Sequence, residues 1–494
     1  MRGQHGVFQH KKRIGAPQAV INGLAPDGGL YVPAKIPTIG RETLAAMCRM
    51  DYRGRSEQII GRYLSEYTAE EIRTIVAAAY GDNFNDAAIA PIRFIDPATG
   101  FLELWHGPTC AFKDMALQML PHLMTSSLEK CGENRKVCIL VATSGDTGKA
   151  ALEGFADVPG TKILVFYPRD GVSDVQRLQM LTQTGENVLV CAVDGNFDDA
   201  QSGVKTIFGD KALAEQLSER GWFLSSANSI NWGRLLPQIV YYFSAYCDFV
   251  NAGRIAPGAP LNFSVPTGNF GNILAGWYAK RMGLPVNRFI CASNENNVLT
   301  EFITTGVYDR NRPFHTTISP SMDILISSNL ERLLYAITGS DVQVADCMRA
   351  LKESGRYEVS AQVQEMIRKD FAAGFCSDGE TKAEIAKVWS EKGYLMDTHT
   401  AVGHKVLADY RAASKDETPA VVVSTASPFK FCDSVLSALG EDVSAPGTEL
   451  IRRLETKTGI SAPAALRGLA GRPVRFGGCV KKEAMQDIVM DFLR

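Results

Sequence analysis

From about residue 93 onward, short apolar runs alternate with longer amphipathic stretches, and this alternation restricts the fold more than any other feature. Runs at 137–143, 163–167, 188–193, 261–266, 289–292 and 420–423 have the length and composition of buried strands. Stretches at 147–154, 175–184, 198–218, 235–251 and 272–282 read as helices between them. Strands alternating with helices mean βαβ units, and therefore α/β architecture with mostly parallel sheets covered on both faces. Residues 1 to about 92 have a different grain and form a first unit. A turn-rich loop at 23–33 precedes helical patterns at 56–64 and 69–80, with Thr68 and Glu71 spaced as a capping box. In parallel sheets ligands sit beyond the carboxyl ends of the strands, so the loops after the strands carry the functional expectation.

Bulk properties exclude several classes of function. At 494 residues two or three domains are expected, and 45% hydrophobic with 21% charged residues is the composition of a globular protein. A net charge of −2 and a pI of about 6.4 leave no electrostatic footprint for nucleic acid. No apolar run of membrane-spanning length occurs, and the N-terminus is basic and polar without a secretory core, so no membrane partner is expected. The eleven cysteines are scattered and show no C-x-x-C spacing, against a disulfide framework or a zinc ribbon and in favour of the cytoplasm. His399 and His404 lie five apart, roughly 140° around a helix, which is poor for two ligands of one ion, so no metal is expected.

Three post-strand loops and one lysine stand out. Lys113 lies between Phe112 and Met115, where a Gly- and Pro-containing loop gives way to a helix. Burial of an amine disfavours its charged form, as a Schiff-base lysine requires, although most lysines merely lay an apolar stem on the surface. The loop 143–148 (TSGDTG) opens a helix with free amides and one carboxylate, Asp146, and also fits an ordinary capped helix. The loop 266–272 (PTGNFGN) opens another helix and suits a phosphate held on backbone N–H groups. It matches neither a P-loop nor a dinucleotide fingerprint, and a plain tight turn is its simpler reading. The third loop, 424–427 (STAS), ends a buried strand with hydroxyls that need partners. Together, lysine, phosphate cup, small-residue loop and hydroxyl point to pyridoxal 5'-phosphate.

Longer blocks then become recognisable: GLAPDGGLYVP (23–33), HGPTCAFKDMALQ (106–118), ATSGDTGKAAL (142–152), SANSINWGRLLPQIVYYF (226–243), VPTGNFGNILAG (265–276), SPSMDILISSNLERLL (319–334), DTHTAVG (397–403) and STASPFKF (424–431). In this order the chain resembles the threonine synthase family, of the longer bacterial and fungal type, within the fold type II pyridoxal-phosphate enzymes. The resemblance implies a two-lobed catalytic core over 93–494 with mostly parallel open sheets flanked by helices, and a smaller N-terminal domain over 1–92. It makes Lys113 the catalytic, cofactor-bearing lysine. Gly268, Asn269, Phe270, Gly271 and Asn272 become contacts of the cofactor phosphate, and Thr425 the partner of the pyridine nitrogen. Two departures occur: Asn272 stands where the family often has Asp, and Ser427 where many members have His.

The implied reaction takes O-phospho-L-homoserine and water to L-threonine and phosphate in a lyase of threonine biosynthesis. For the substrate and its phosphate the candidates are Lys149, Arg234, Arg332 and Lys430, with Ser144, Asp146, Thr147, Ser319 and Ser321. Relatives of this type suggest a monomer. The alternatives are a related phospho-lyase that does not place the hydroxyl on Cβ, and a non-catalytic relative, which intact Lys113 and Gly268–Gly271 speak against.

Overall fold

A computed structural model describes residues 13–143, 145–169 and 172–494. The described strands are β1 (Ile92–Asp96), β2 (Thr99–Glu103), β3 (Lys136–Ala142), β4 (Thr161–Pro168), β5 (Val188–Val193), β6 (Trp222–Ser225), β7 (Leu261–Pro266), β8 (Val286–Ser293), β9 (Val307–Asp309), β10 (Arg356–Glu358), β11 (Phe371–Phe375), β12 (Ala420–Ser424) and β13 (Cys479–Val480). They form a five-stranded sheet in the order β13-β5-β4-β3-β6 and a six-stranded sheet in the order β1-β2-β12-β7-β8-β11, with a separate antiparallel β9–β10 pair. The five-stranded sheet is wholly parallel, and in the larger one only β1 runs antiparallel to its neighbour. Helices cover both sheets, as near-continuous apolar strands such as Val137–Ala142 demand. The architecture is α/β with two mostly parallel sheets covered by helices, as the pattern of strands and helices implied.

The six expected strands all form, with ends shifted by up to three residues. Strands β1, β2, β6, β9, β10, β11 and β13 were not expected. The fully buried β2 contains Thr99 and Gly100 and shows no period-2 alternation, because it is covered on both faces between β1 and β12. The single expected helix over 198–218 is two helices, Phe197–Gly209 and Lys211–Glu219. Asp210 leaves helical geometry at the break, and its side chain accepts from Leu213 N at 3.0 Å, so it caps the second helix. The expected capping box forms: Thr68 Oγ1 accepts from Glu71 N and Glu71 Oε2 from Thr68 N.

The N-terminal helices Tyr52–Tyr63 and Ala69–Ala79 bury apolar faces in the same cluster as the long helix Trp232–Asn251. Arg55 fastens them: its buried guanidinium meets Asp248 at 2.8 Å and Ser244 Oγ at 2.7 Å. The turns after β3, β7 and β12 come together around Lys113, which meets Asp146 and Ser321 directly and is tied by its neighbour Phe112 to Thr425. No described helix is long and apolar enough to cross a membrane.

Candidate active site

The loop before Lys113 is shaped by Asp114. Its buried carboxylate accepts from Thr109 N at 2.8 Å and Thr109 Oγ1 at 2.6 Å, closing the turn Thr109–Asp114. Gly107 is required beside it, since a Cβ there would lie 2.6 Å from Asp114 Cβ. Burial pushes the Asp114 carboxyl up to about 6 against these two hydrogen bonds. Residues 110–112 then lie antiparallel to the segment after β12, with Phe112 N donating to Thr425 O and Ser427 N to Cys110 O. Lys113 and Thr425 are therefore fixed to one another by backbone, although they are 312 residues apart in sequence.

Lys113 is buried, with Phe112's ring centroid 5.0 Å from Nζ. Its amine donates to Ser321 Oγ at 3.0 Å and Asp146 Oδ2 at 3.3 Å. Asp146 also meets the ammonium of fully buried Lys430 at 2.7 Å and accepts from Gln176 Nε2 at 2.8 Å. Lys430 makes a further bond to Thr109 O at 2.9 Å. Burial lowers the Lys113 pKa; Asp146 opposes this, and Lys430 and Arg234 add to it. For Asp146, burial pushes the carboxyl up, but Lys430 and then Lys113 reverse that and hold it well below the usual carboxylate range. The cluster thus balances two amines on one committed carboxylate.

Gln176 was not anticipated. It sits on the buried face of the helix Asp174–Leu181, one turn before Gln179, and two uncharged amides inside an apolar face were the available signal. The turn after β3 makes room for it. Gly145 has φ +136°, and a Cβ there would lie 2.7 Å from the Gln176 amide. Thr143 Oγ1 accepts from Gly145 N and Gly148 N, so the hydroxyl before the helix takes up amides the helix leaves free.

The turn after β7 is built differently. Its carbonyls point to the segment 327–329: Ser327 Oγ donates to Gly268 O at 2.8 Å, and Asn329 N and Nδ2 donate to Asn269 O at 3.2 and 3.0 Å. Phe270 takes the left-handed conformation, φ +61°, and starts the helix Gly271–Met282, whose N-terminus no side chain caps. The first N–H groups of that helix lack intrahelical acceptors and present a partial positive charge. Asn272 Oδ1 accepts from the Tyr241 and Tyr242 hydroxyls, both at 2.7 Å, which leaves its buried Nδ2 without a protein partner. At Gly268 a Cβ would lie 2.7 Å from Ser321 O. An uncapped helix start, an orphaned amide donor and a close glycine approach fit a bound phosphate, so these residues suit the phosphate of pyridoxal phosphate.

The remaining candidates divide. Arg234 is buried, gives Nη1 to Ala227 O, keeps a buried Nε without a partner and meets no carboxylate among the described residues. Burial lowers its pKa to about 10. Lys149 is not brought to the Lys113 cluster: its ammonium is taken by Glu153 at 2.7 Å and by Gln183. Arg332 spends its guanidinium on Tyr31 O, Ser229 O, Ile230 O and Asn329 Oδ1, bracing the segment that holds the cup. Ser319 is satisfied by Asn294 and Thr317. Thr147 is half-buried in the first turn of its helix, and Ser144 lies outside the described residues. Ser427, standing where many relatives have His, caps the turn Pro428–Phe431 through Phe429 N. His399 and His404 face different carboxylates, Asp397 and Glu384, and no metal-holding group of side chains occurs among the described residues.

Three family models match along the chain: threonine synthase N terminus at 8–80, pyridoxal-phosphate dependent enzyme at 101–426, and threonine synthase C-terminal at 400–489. A threonine synthase of Pseudomonas aeruginosa is 41% identical over 85% of this chain and 86% of its own length. The human protein threonine synthase-like 1 is 43% identical over 85% of this chain, which spans only 58% of that relative's length. A crystal structure of pyridoxal-phosphate-bound threonine synthase from Brucella melitensis superposes with a TM-score of 0.86 at 38% identity, covering 97% of each chain. With the cup, the buried lysine and the fold agreeing, the chain belongs to the threonine synthase family of pyridoxal-phosphate-dependent enzymes.

Proposed function

We propose that this enzyme is a lyase that converts O-phospho-L-homoserine and water to L-threonine and phosphate. The observation that carries the reading is the arrangement around Lys113: a buried amine with a lowered pKa, in contact with Asp146 and Ser321, whose carbonyl abuts the cup at Gly268. Pyridoxal phosphate, when bound, supplies the electron sink for carbanions next to the substrate amine. The cup, Gly268 to Asn272, would hold the cofactor phosphate, and Thr425 would supply the hydroxyl for its ring nitrogen. Lys113 is the base that takes the Cα proton and the acid that returns it. Asp146, kept ionised by Lys430, orients the Lys113 amine without competing for its proton. The substrate phosphate carries close to two negative charges and needs a cation with donors to spare. Arg234 meets that requirement, whereas Lys149 and Arg332 have theirs engaged.

A second reading keeps the family and changes the product: elimination of phosphate without hydroxylation at Cβ. The similarity to the human threonine synthase-like protein, as strong as that to the bacterial synthase, favours keeping it. Product analysis of the purified, cofactor-loaded enzyme with phosphohomoserine separates them. Threonine and phosphate in equal amounts are expected; 2-oxobutyrate and phosphate without threonine would overturn the proposed function in favour of the second reading.

A further inference from the structure

The block DTHTAVG contributes a histidine that neither the cup nor the lysine cluster uses directly. Asp397 caps the helix Thr398–Ser414, and its buried carboxylate accepts from His399 N at 2.9 Å, Thr400 N at 3.2 Å, the Thr400 hydroxyl and His399 Nδ1 at 2.8 Å. A carboxylate can only accept, so Nδ1 carries the ring proton and Nε2 of the neutral ring is left as an acceptor. Nε2 accepts from the backbone N–H of Ser321 at 3.1 Å. Ser321 lies in the short turn Pro320–Met322, whose flanks are tied down by Asn294, Thr317 and Asp323. The same residue directs its hydroxyl at Lys113 Nζ, 3.0 Å away, and its carbonyl toward Gly268. An Asp397–His399–Ser321 chain thus ends on the reacting amine, and the ring is buried against the edge of Phe431.

We propose that His399 is a positioning residue for Lys113: by holding the Ser321 backbone it fixes the Ser321 hydroxyl as a hydrogen-bond partner of the amine. The inference rests on Lys113 being the cofactor lysine. The chain has a directional consequence. Because Lys113 donates to Ser321 Oγ, an ordered Ser321 favours the protonated nitrogen. The other charges facing Lys113 are Asp146, Lys430 and Arg234, and none of them hydrogen-bonds to His399. Facing His399 itself are Asp397 and, further off, Asp323.

Two substitutions isolate the contact. In His399→Asn the side-chain amide can still donate to Asp397 but is too short to reach Ser321. In His399→Gln the longer side chain can return an acceptor to the Nε2 position. The readout is the pH midpoint of the visible absorbance of the cofactor–lysine chromophore in substrate-free enzyme, taken beside kcat and KM. His399→Asn is expected to lower the midpoint by about one pH unit, the equivalent of one lost charge-assisted hydrogen bond, and to lower kcat more than it raises KM. Ser321→Ala should give the same shift, the double variant no more than either single one, and His399→Gln should recover most of it. A midpoint unchanged in His399→Asn, or shifts that add in the double variant, would overturn the proposal. If neither His399 variant folds, an unchanged midpoint in Ser321→Ala overturns it alone. Failure of the underlying reading looks different: it would appear as a chromophore that survives in Lys113→Ala.

Discussion

The cup after β7 and the cluster around Lys113, which the proposed function assigns to one cofactor, are assembled by opposite rules. The cup contains no ionised side chain. It relies on an uncapped helix start, the Asn272 amide held by two tyrosine hydroxyls, and carbonyls drawn away by Ser327 and Asn329. The lysine cluster is dense in charge, with Asp146 shared between Lys113 and Lys430 and steadied by Gln176. A group that only has to hold an anion does best with fixed dipoles, which neither titrate nor reorganise. A group that must accept and return a proton needs neighbours whose charges set its pKa. Arg234 lies between these rules: it is an ionised group with an orphaned Nε and, among the described residues, no carboxylate, as the anion-binding role proposed for it requires.

Removing the amine is the strongest test of that division of labour. Lys113→Ala should reduce kcat by at least about a thousandfold, the upper range of what a positioned acid–base supplies, and abolish the borohydride-sensitive absorbance. Affinity for free pyridoxal phosphate, measured by equilibrium dialysis, should fall far less, because the cup is untouched. Parallel collapse of both quantities would mean that the two regions do not act separately. A smaller effect is expected from Arg234→Met, which removes one charged donor. KM for the phosphorylated substrate should rise about ten- to a hundredfold, with little change in cofactor affinity. If cofactor affinity falls instead, Arg234 belongs to the cup.

Sequence alone exposed the two regions unequally. The cup was legible because strand, glycine turn and helix start are all local signals, and PTGNFGN carries them within seven residues. Lys113 was legible as an amine in apolar company, but Asp146, Ser321 and Lys430 were legible only as substrate candidates and Gln176 not at all. Asp146, Gln176, Ser321 and Lys430 come from four distant segments, and only the fold brings Asp146 and Ser321 onto the Lys113 nitrogen and Gln176 and Lys430 onto Asp146. The cations show the limit most clearly. Lys149 and Arg234 both lie within motif blocks, yet one is spent on Glu153 and Gln183 while the other keeps a free donor, a difference set by hydrogen-bond geometry alone. Strand β2 was missed for a related reason: a strand buried on both faces with a glycine in it carries no alternation to read.

The finest distinction between cup and cluster is electrostatic, and a pair of substitutions of opposite sign can measure it. Asp146 raises the Lys113 pKa and Lys430 lowers it, so the amine responds to both. Asp146→Asn removes the anion and should move the pH midpoint for cofactor capture by the apoenzyme further below the ordinary lysine range. Lys430→Met removes a cation and leaves Asp146 to Lys113 alone, so the midpoint should rise. Stopped-flow absorbance across the alkaline range reads both. The linkage runs in the same sense: Lys113's lowered folded pKa means that protonating it opposes folding, so the penalty is fully present below the folded pKa and is relieved as pH rises from there to the ordinary lysine value. The cup, carrying no titrating side chain, should give a flat response, and Asn272→Ala should weaken phosphate binding by a similar factor at every pH in that range. If Asp146→Asn and Lys430→Met shifted the midpoint in the same direction, the two groups would be acting through the backbone, and the charge-balanced account of Lys113 would fail.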